Sequence, residues 1–152
     1  MSYLALESYA TGRVVPWQQS LEVLETLDEG REEIVLELLV EVCRTDDEER
    51  LWELAGFLAR TSSTPPLQPL LELLSDPSAE VRRRTAMALG KIGDPGILPG
   101  LVSLYLDPIP EVQAEAAEAV WRITGGDDGF EPELAPEEKA RILHRWRKSF
   151  SR

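Results

Sequence analysis

Between Pro66 and Gly125 one pattern occurs twice, thirty-one residues apart, and this self-match limits what the chain can fold into. Leu67, Leu70 and Leu73 align with Leu98, Leu101 and Leu104, and Asp76-Pro77 aligns with Asp107-Pro108. Further along, Glu80-Val81 aligns with Glu111-Val112, and Ala86, Ala88 and Ile92 align with Ala117, Ala119 and Ile123. A period of this length is one supersecondary unit that cannot bury its apolar face alone and must stack on a neighbour. Each unit reads as a short leucine-rich helix, a turn at the Asp-Pro pair, and a longer alanine-containing helix. Ala86, Ala88, Ala116 and Ala117 let helices approach closely, while Val81, Leu89, Val112 and Val120 fill the core. Gly90, Gly93 and Asp94-Pro95-Gly96 are read as the stop between the two units.

The same offset persists upstream in looser form. Leu36, Leu39 and Val42 precede Leu67, Leu70 and Leu73, while Ala55 and Leu58 precede Ala86 and Leu89. Helices are expected from about Glu32 to Cys43 and from about Asp47 to Arg60. Leu24 and Leu27 precede Ala55 and Leu58, so the array begins near the N-terminus with a degraded unit over 3–31, built from short helices at Tyr3–Ala10 and after Val15-Pro16. Further units follow at 32–61, 65–93 and 96–124. The stretch from Thr61 to Pro66 could join two domains or turn between repeats; the preserved offset favours the turn and a single domain over 1–152. From Gly125 to residue 152 the repeat gives way to an acidic loop, with Phe130 pinning it, and a last helix from Pro136 to about Phe150. Ile142, Leu143, Trp146 and Phe150 give that helix one apolar stripe, as expected of a cap over the open end of the array.

The net charge of −12 opposes nucleic acid as the main ligand, because phosphate contacts need clustered Lys and Arg. The charge is uneven: residues 1–64 hold five basic and fourteen acidic side chains. An acidic surface of this kind steers basic partners. The basic side chains of the last helix, Lys139, Arg141, Arg145, Arg147 and Lys148, follow an acidic loop that neutralises them locally. Cys43 is the only cysteine, expected as a buried thiol, and His144 the only histidine, so cysteine clusters and histidine-based sites have no raw material. The N-terminus lacks the basic leader and apolar run of a signal peptide, and no apolar run reaches membrane-spanning length, so the expectation is a cytoplasmic protein without membrane contact. The carboxylates read as polar helix faces, and nothing gathers them with a nucleophile or phosphate loop. No enzyme activity, metal or cofactor is expected.

The run Asp76-Pro77-Ser78-Ala79-Glu80-Val81-Arg82, continuing through Ala86-Met87-Ala88-Leu89-Gly90-Lys91-Ile92-Gly93-Asp94, closely resembles bacterial HEAT-like repeats of the kind found in phycobilisome lyase subunits. The resemblance implies an all-α fold: a short right-handed α–α superhelix of antiparallel helix pairs, its second helices lining a concave face, with a C-terminal capping helix. It also implies a scaffold or binding module more than an enzyme, since the repeat consensus is structural. The expected function is therefore binding of another protein, with an immunity or inhibitor protein against a basic toxin as the sharper form. The alternative is a chromophore-handling protein related to bilin lyases.

By the thirty-one-residue offset, the concave-face positions are Trp52, Arg83 and Ala114, then Gly56, Met87 and Glu118, then Ala59, Gly90 and Trp121. The candidate partner-binding residues are Trp52, Arg83, Met87, Glu118 and Trp121, because aromatic residues and arginine dominate binding hot spots. The competing reading is packing, with Trp52 over the degraded first unit and Trp121 under the C-terminal cap. Arg82-Arg83-Arg84 looks like a basic cluster, but consecutive helical residues diverge by about 100°. One of them is expected to pair with Asp76, Asp107 or a carboxylate of the next repeat.

Overall fold

The structure, a computed structural model, describes residues 30–61, 66–126 and 133–150. The expected helices before Gly30, the Ser62–Pro65 part of the inter-repeat turn and the Phe130 loop lie outside the described residues. Every regular element among the described residues is helical. These are α1 (Arg31–Val42), α2 (Glu48–Arg60), α3 (Gln68–Leu73), α4 (Ala79–Ile92), α5 (Leu98–Ser103), α6 (Pro110–Thr124) and α7 (Pro136–Phe150). Single 3₁₀ turns, Pro95–Ile97 and Leu104–Leu106, flank α5.

Local chemistry sets the boundaries. The Asp47 carboxylate accepts from the amide of Arg50 at 3.0 Å and starts α2, with Glu48 and Glu49 in its first turn suiting the helix dipole. Ser78 Oγ plays the same part for α4, accepting from the amide of Val81. Gly93 (φ 77°) and Gly125 (φ 84°) stop α4 and α6 in the left-handed conformation that side chains with a Cβ resist.

The helices form pairs in a row. In each, the first helix packs on the second: α1 on α2, α3 on α4, α5 on α6. The second helices carry the row, with α2 against α4 and α4 most extensively against α6. One continuous core results, from Val35 and Leu39 through Leu51, Leu70, Leu89 and Leu101 to Val120. Ala86, Ala88, Ala116 and Ala117 are buried at the helix contacts, as their size predicts. Gly90 departs from expectation. It neither stops a helix nor faces solvent; it lies inside α4 where α6 comes close, and an added Cβ would sit 2.8 Å from Ala119 Cα.

The final helix keeps its expected bounds and packs against α5 and the Leu104–Leu106 turn. Leu143 is 2% exposed, with Ile142 and Trp146 partly buried beside it. Full burial of one such leucine contributes about 1.5–3 kcal/mol. Lys139, which the sequence groups with the basic side chains of this helix, is buried. Its Nζ donates to Gln113 Oε1 at 2.6 Å and lies 5.1 Å from the centre of the Tyr105 ring. The aliphatic stem can be buried because the ammonium finds an amide oxygen and an aromatic face at its end.

A polar chain runs through the joints between units. Arg82 Nε and Nη2 donate to the two carboxylate oxygens of Asp107 at 2.8 and 3.2 Å, and Nη1 donates to the Asp76 carbonyl at 2.7 Å. Asp107 also accepts from the amide of Ile109 at 3.0 Å. Gln113, thirty-one residues after Arg82, donates to the Asp107 carbonyl just as Arg82 donates to that of Asp76. Lys139 then supplies to Gln113 the partner that the next repeat would otherwise provide. The expected pairing of one arginine with Asp107 is therefore met by Arg82. Arg84 is buried and donates to the Cys43 carbonyl at 3.0 Å.

Candidate functional site

The five residues singled out from the sequence all lie on α2, α4 and α6, the helices that form the row. Trp52 is half-buried. Lys91 Nζ of α4 stands 4.6 Å from its ring centre, and Arg122 Cζ of α6 stands 5.0 Å away. Side chains of the first and third helices of the row thus meet past the middle one. Arg122 Nη2 also donates to Glu118 Oε1 at 2.8 Å, one helical turn away.

Arg83 repeats this crossing. Its Nη2 donates to Glu48 of α2 and, at 3.2 Å, to Glu80 of its own helix, while Nη1 stands 3.9 Å from Glu115 of α6. The Glu48 hydrogen bond is the largest cause of a pKa raised above the ordinary guanidinium value; burial opposes it, and Glu80 adds to it. On the other side of the cluster, the Glu115 carboxyl is pushed above its ordinary range. Burial is the main cause and Glu118 the second, against the pull of Arg83 and Arg122.

The structure therefore brings Trp52, Arg83 and Glu118 into one network with Glu48, Lys91, Glu115 and Arg122. Its charges are largely answered from within. Arg83 does not offer an open anion site, and the reading of Trp52 as packed over the degraded first unit concerns residues outside those described. Met87 is half-buried between them in sequence register. Trp121 lies on the last helix of the row and is 56% exposed, while α7 packs chiefly on α5 and the Leu104–Leu106 turn. One edge of its indole rests on Gly126, where an added Cβ would fall 2.3 Å from Nε1. Its equivalent Gly90 is buried only because α6 follows α4; α6 has no such successor among the described helices.

The sequence reading missed Lys91 and Arg122. They are equivalent under the repeat offset, and both stand one residue after a position assigned to the concave face. That shared register was the available signal. Elsewhere, Cys43 is fully buried, and burial pushes its thiol up to about 11 despite the Thr85 hydroxyl and Arg84 nearby. Among the described residues no group of three or more His, Cys, Asp or Glu is placed to hold a metal ion, and no helix is long and apolar enough to cross a membrane.

A row of helix pairs built on one recurring sequence unit defines a helical-repeat protein. Residues 67–136 match the family model of the HEAT repeats, a stretch running from the residue before α3 to the first residue of α7. The match supports a HEAT-repeat protein and covers the two units in which the period is clearest. No curated protein matches the chain.

Proposed function

We propose that this chain is a non-enzymatic protein-binding module that holds its partner on the surface shared by α2, α4 and α6. Trp121 carries the proposal. A tryptophan more than half exposed beside the Glu118–Arg122 pair is the residue type on which interfaces concentrate their energy. Repeat arrays present extended surfaces of this kind, and their recurring positions serve packing rather than chemistry. Here those positions are the leucines and alanines of the core. In this reading Met87 and the free edge of Trp52 extend the contact, while Arg83 and Glu118 shape it from within their ion pairs.

The net charge of −12 favours a basic partner, and an immunity or inhibitor protein facing a basic toxin is the sharper form of the proposal. A cytoplasmic setting belongs to the same reading, supported by a single buried cysteine that has no partner within the chain. The test is a capture experiment from the source organism's lysate with the wild type and Trp121→Ala, both shown to be folded by circular dichroism. A partner held by the wild type, released by added salt and lost from Trp121→Ala is the expected result. Equal capture by both proteins would move the contact off this surface.

A further inference from the structure

On the first helices, away from the α2–α4–α6 surface, α1 and the start of α3 border a groove of about 540 Å³. Leu36 and Val40 line its apolar part, and Pro66 and Pro69 form the opposite side. Glu33, Glu37 and Glu41 stand along the α1 side at four-residue spacing, one per helical turn. All three are exposed. None of them forms an ion pair with a described residue, whereas Arg82, Arg83, Arg84 and Arg122 all do. Among the described residues these cations are answered internally, and this row of carboxylates is not.

We infer that this groove is a docking site for a basic amphipathic helix of another protein, with Lys or Arg at every fourth residue. The three carboxylates span about 12 Å, a little over two helical turns, so cations at the same spacing on a helix laid alongside meet them in register. The apolar stripe of that helix covers Val40 and the prolines. A helix suits the groove better than an extended strand because Pro66 and Pro69 have no N–H to offer a peptide backbone, and a helix satisfies its own. A groove of this size admits a few side chains rather than a folded domain. A second copy of the chain is disfavoured as occupant, since two bodies of charge −12 repel each other as they approach. The proposal rests on the preceding reading of the chain as a binding module with a basic partner, but it concerns different helices and is tested without the natural partner.

The experiment uses the full chain and a fluorescein-labelled fifteen-residue helical peptide with lysine at every fourth position and a leucine stripe, followed by anisotropy at low ionic strength. A matching peptide with glutamate in place of lysine, and another with serine in place of leucine, are the first controls. The lysine–leucine peptide is expected to bind saturably and the other two weakly or not at all. The variant Glu33→Lys/Glu37→Lys/Glu41→Lys should bind about tenfold or more weakly, because three attractive pairs become repulsive. The variant Glu53→Lys/Glu72→Lys/Glu133→Lys has the same net charge, alters exposed sites outside the groove, and should stay within about threefold of the wild type. Trp121→Ala should bind the peptide like the wild type, so failure here and failure of the α2–α4–α6 surface are told apart. Equal weakening by both triple variants overturns the proposal, as does equal binding of the lysine–leucine and lysine–serine peptides. Absence of peptide binding to the wild type overturns it too, and so does sedimentation showing self-association that only the groove variant abolishes. The peptide comparisons need only wild-type protein and stand even if a variant fails to fold.

Discussion

Two glycines inside helices give the sharpest test of how the row is packed, because the same substitution should act in opposite directions. At Gly56 in α2, an added Cβ would stand 3.3 Å from Arg60 Nη1 and 3.5 Å from Lys91 Cε, both far ends of flexible side chains. These can give way by a few tenths of an ångström. Gly56→Ala therefore keeps most of the helix-propensity gain, about 0.5–1 kcal/mol. At Gly90 in α4, the new Cβ would stand 2.8 Å from both Cα and Cβ of Ala119, on the backbone of α6. No rotamer relieves that contact, so α4 and α6 must separate along their whole packed length. Overpacking of this kind costs about 1–3 kcal/mol, and a backbone neighbour argues for the upper half of that range. After the same propensity gain, Gly90→Ala is expected to destabilise by about 1–2 kcal/mol. With a urea m-value of about 1–3 kcal/mol per molar, the two midpoints should lie about 1 M apart, on either side of the wild type. Urea unfolding followed by far-ultraviolet circular dichroism measures this directly, provided m is unchanged. Gly90→Ala at or above the wild-type midpoint would refute the close approach of α4 and α6.

Asp107→Ala should cost about 3 kcal/mol in the same assay, because it removes a buried carboxylate, leaves the half-buried Arg82 beside carbonyls alone and frees the amide of Ile109. Adding Arg82→Met should recover part of that loss, and a single-variant cost below about 1 kcal/mol would show that the pair does not join the units. Glu115→Gln should be stabilising at neutral pH, by less than about 1 kcal/mol after solvent screening, since burial and Glu118 disfavour the charged carboxyl of the folded state. The sign follows from linkage. A carboxyl whose folded pKa is raised binds protons more tightly when folded, so its charged form costs stability above the raised value. That cost disappears as pH falls through the raised value toward 4.5, the ordinary one. The advantage of Glu115→Gln in thermal unfolding should fade over that window; a constant advantage down to acid pH would argue against the assigned cause.

Much of this fold was readable because repeated packing leaves a repeated trace. The leucines and alanines of the two strong units recur where the core needs them, and Pro136–Phe150 was set by a proline start and an apolar stripe. Gly90 was misread because a glycine near a helix end looks like a stop, whereas its role depends on how near α6 lies, a distance no local pattern records. Lys139 was misread for a related reason: sequence shows the charge but not the Gln113 oxygen and Tyr105 ring that receive its ammonium. The candidate surface was half legible. Register put Trp52, Arg83 and Glu118 on one side, but the pairing of Trp52 with Arg122 spans seventy positions and exists only because the row brings α2 and α6 within side-chain reach.

That reach changes how the molecule should respond to stress. In an idealised repeat array each unit feels only its neighbours, so ends can fray while the middle persists. Trp52 against Arg122, together with Glu48 and Glu115 sharing Arg83, adds a second-neighbour term that couples the first and third described pairs. Peeling α2 away then weakens the hold on α6, and loosening α6 weakens the hold on α2, which pushes the three pairs toward opening together. A partner that pries Arg122 off Trp52 would meet resistance from the whole row, and one that leaves the contact in place would find a stiff platform.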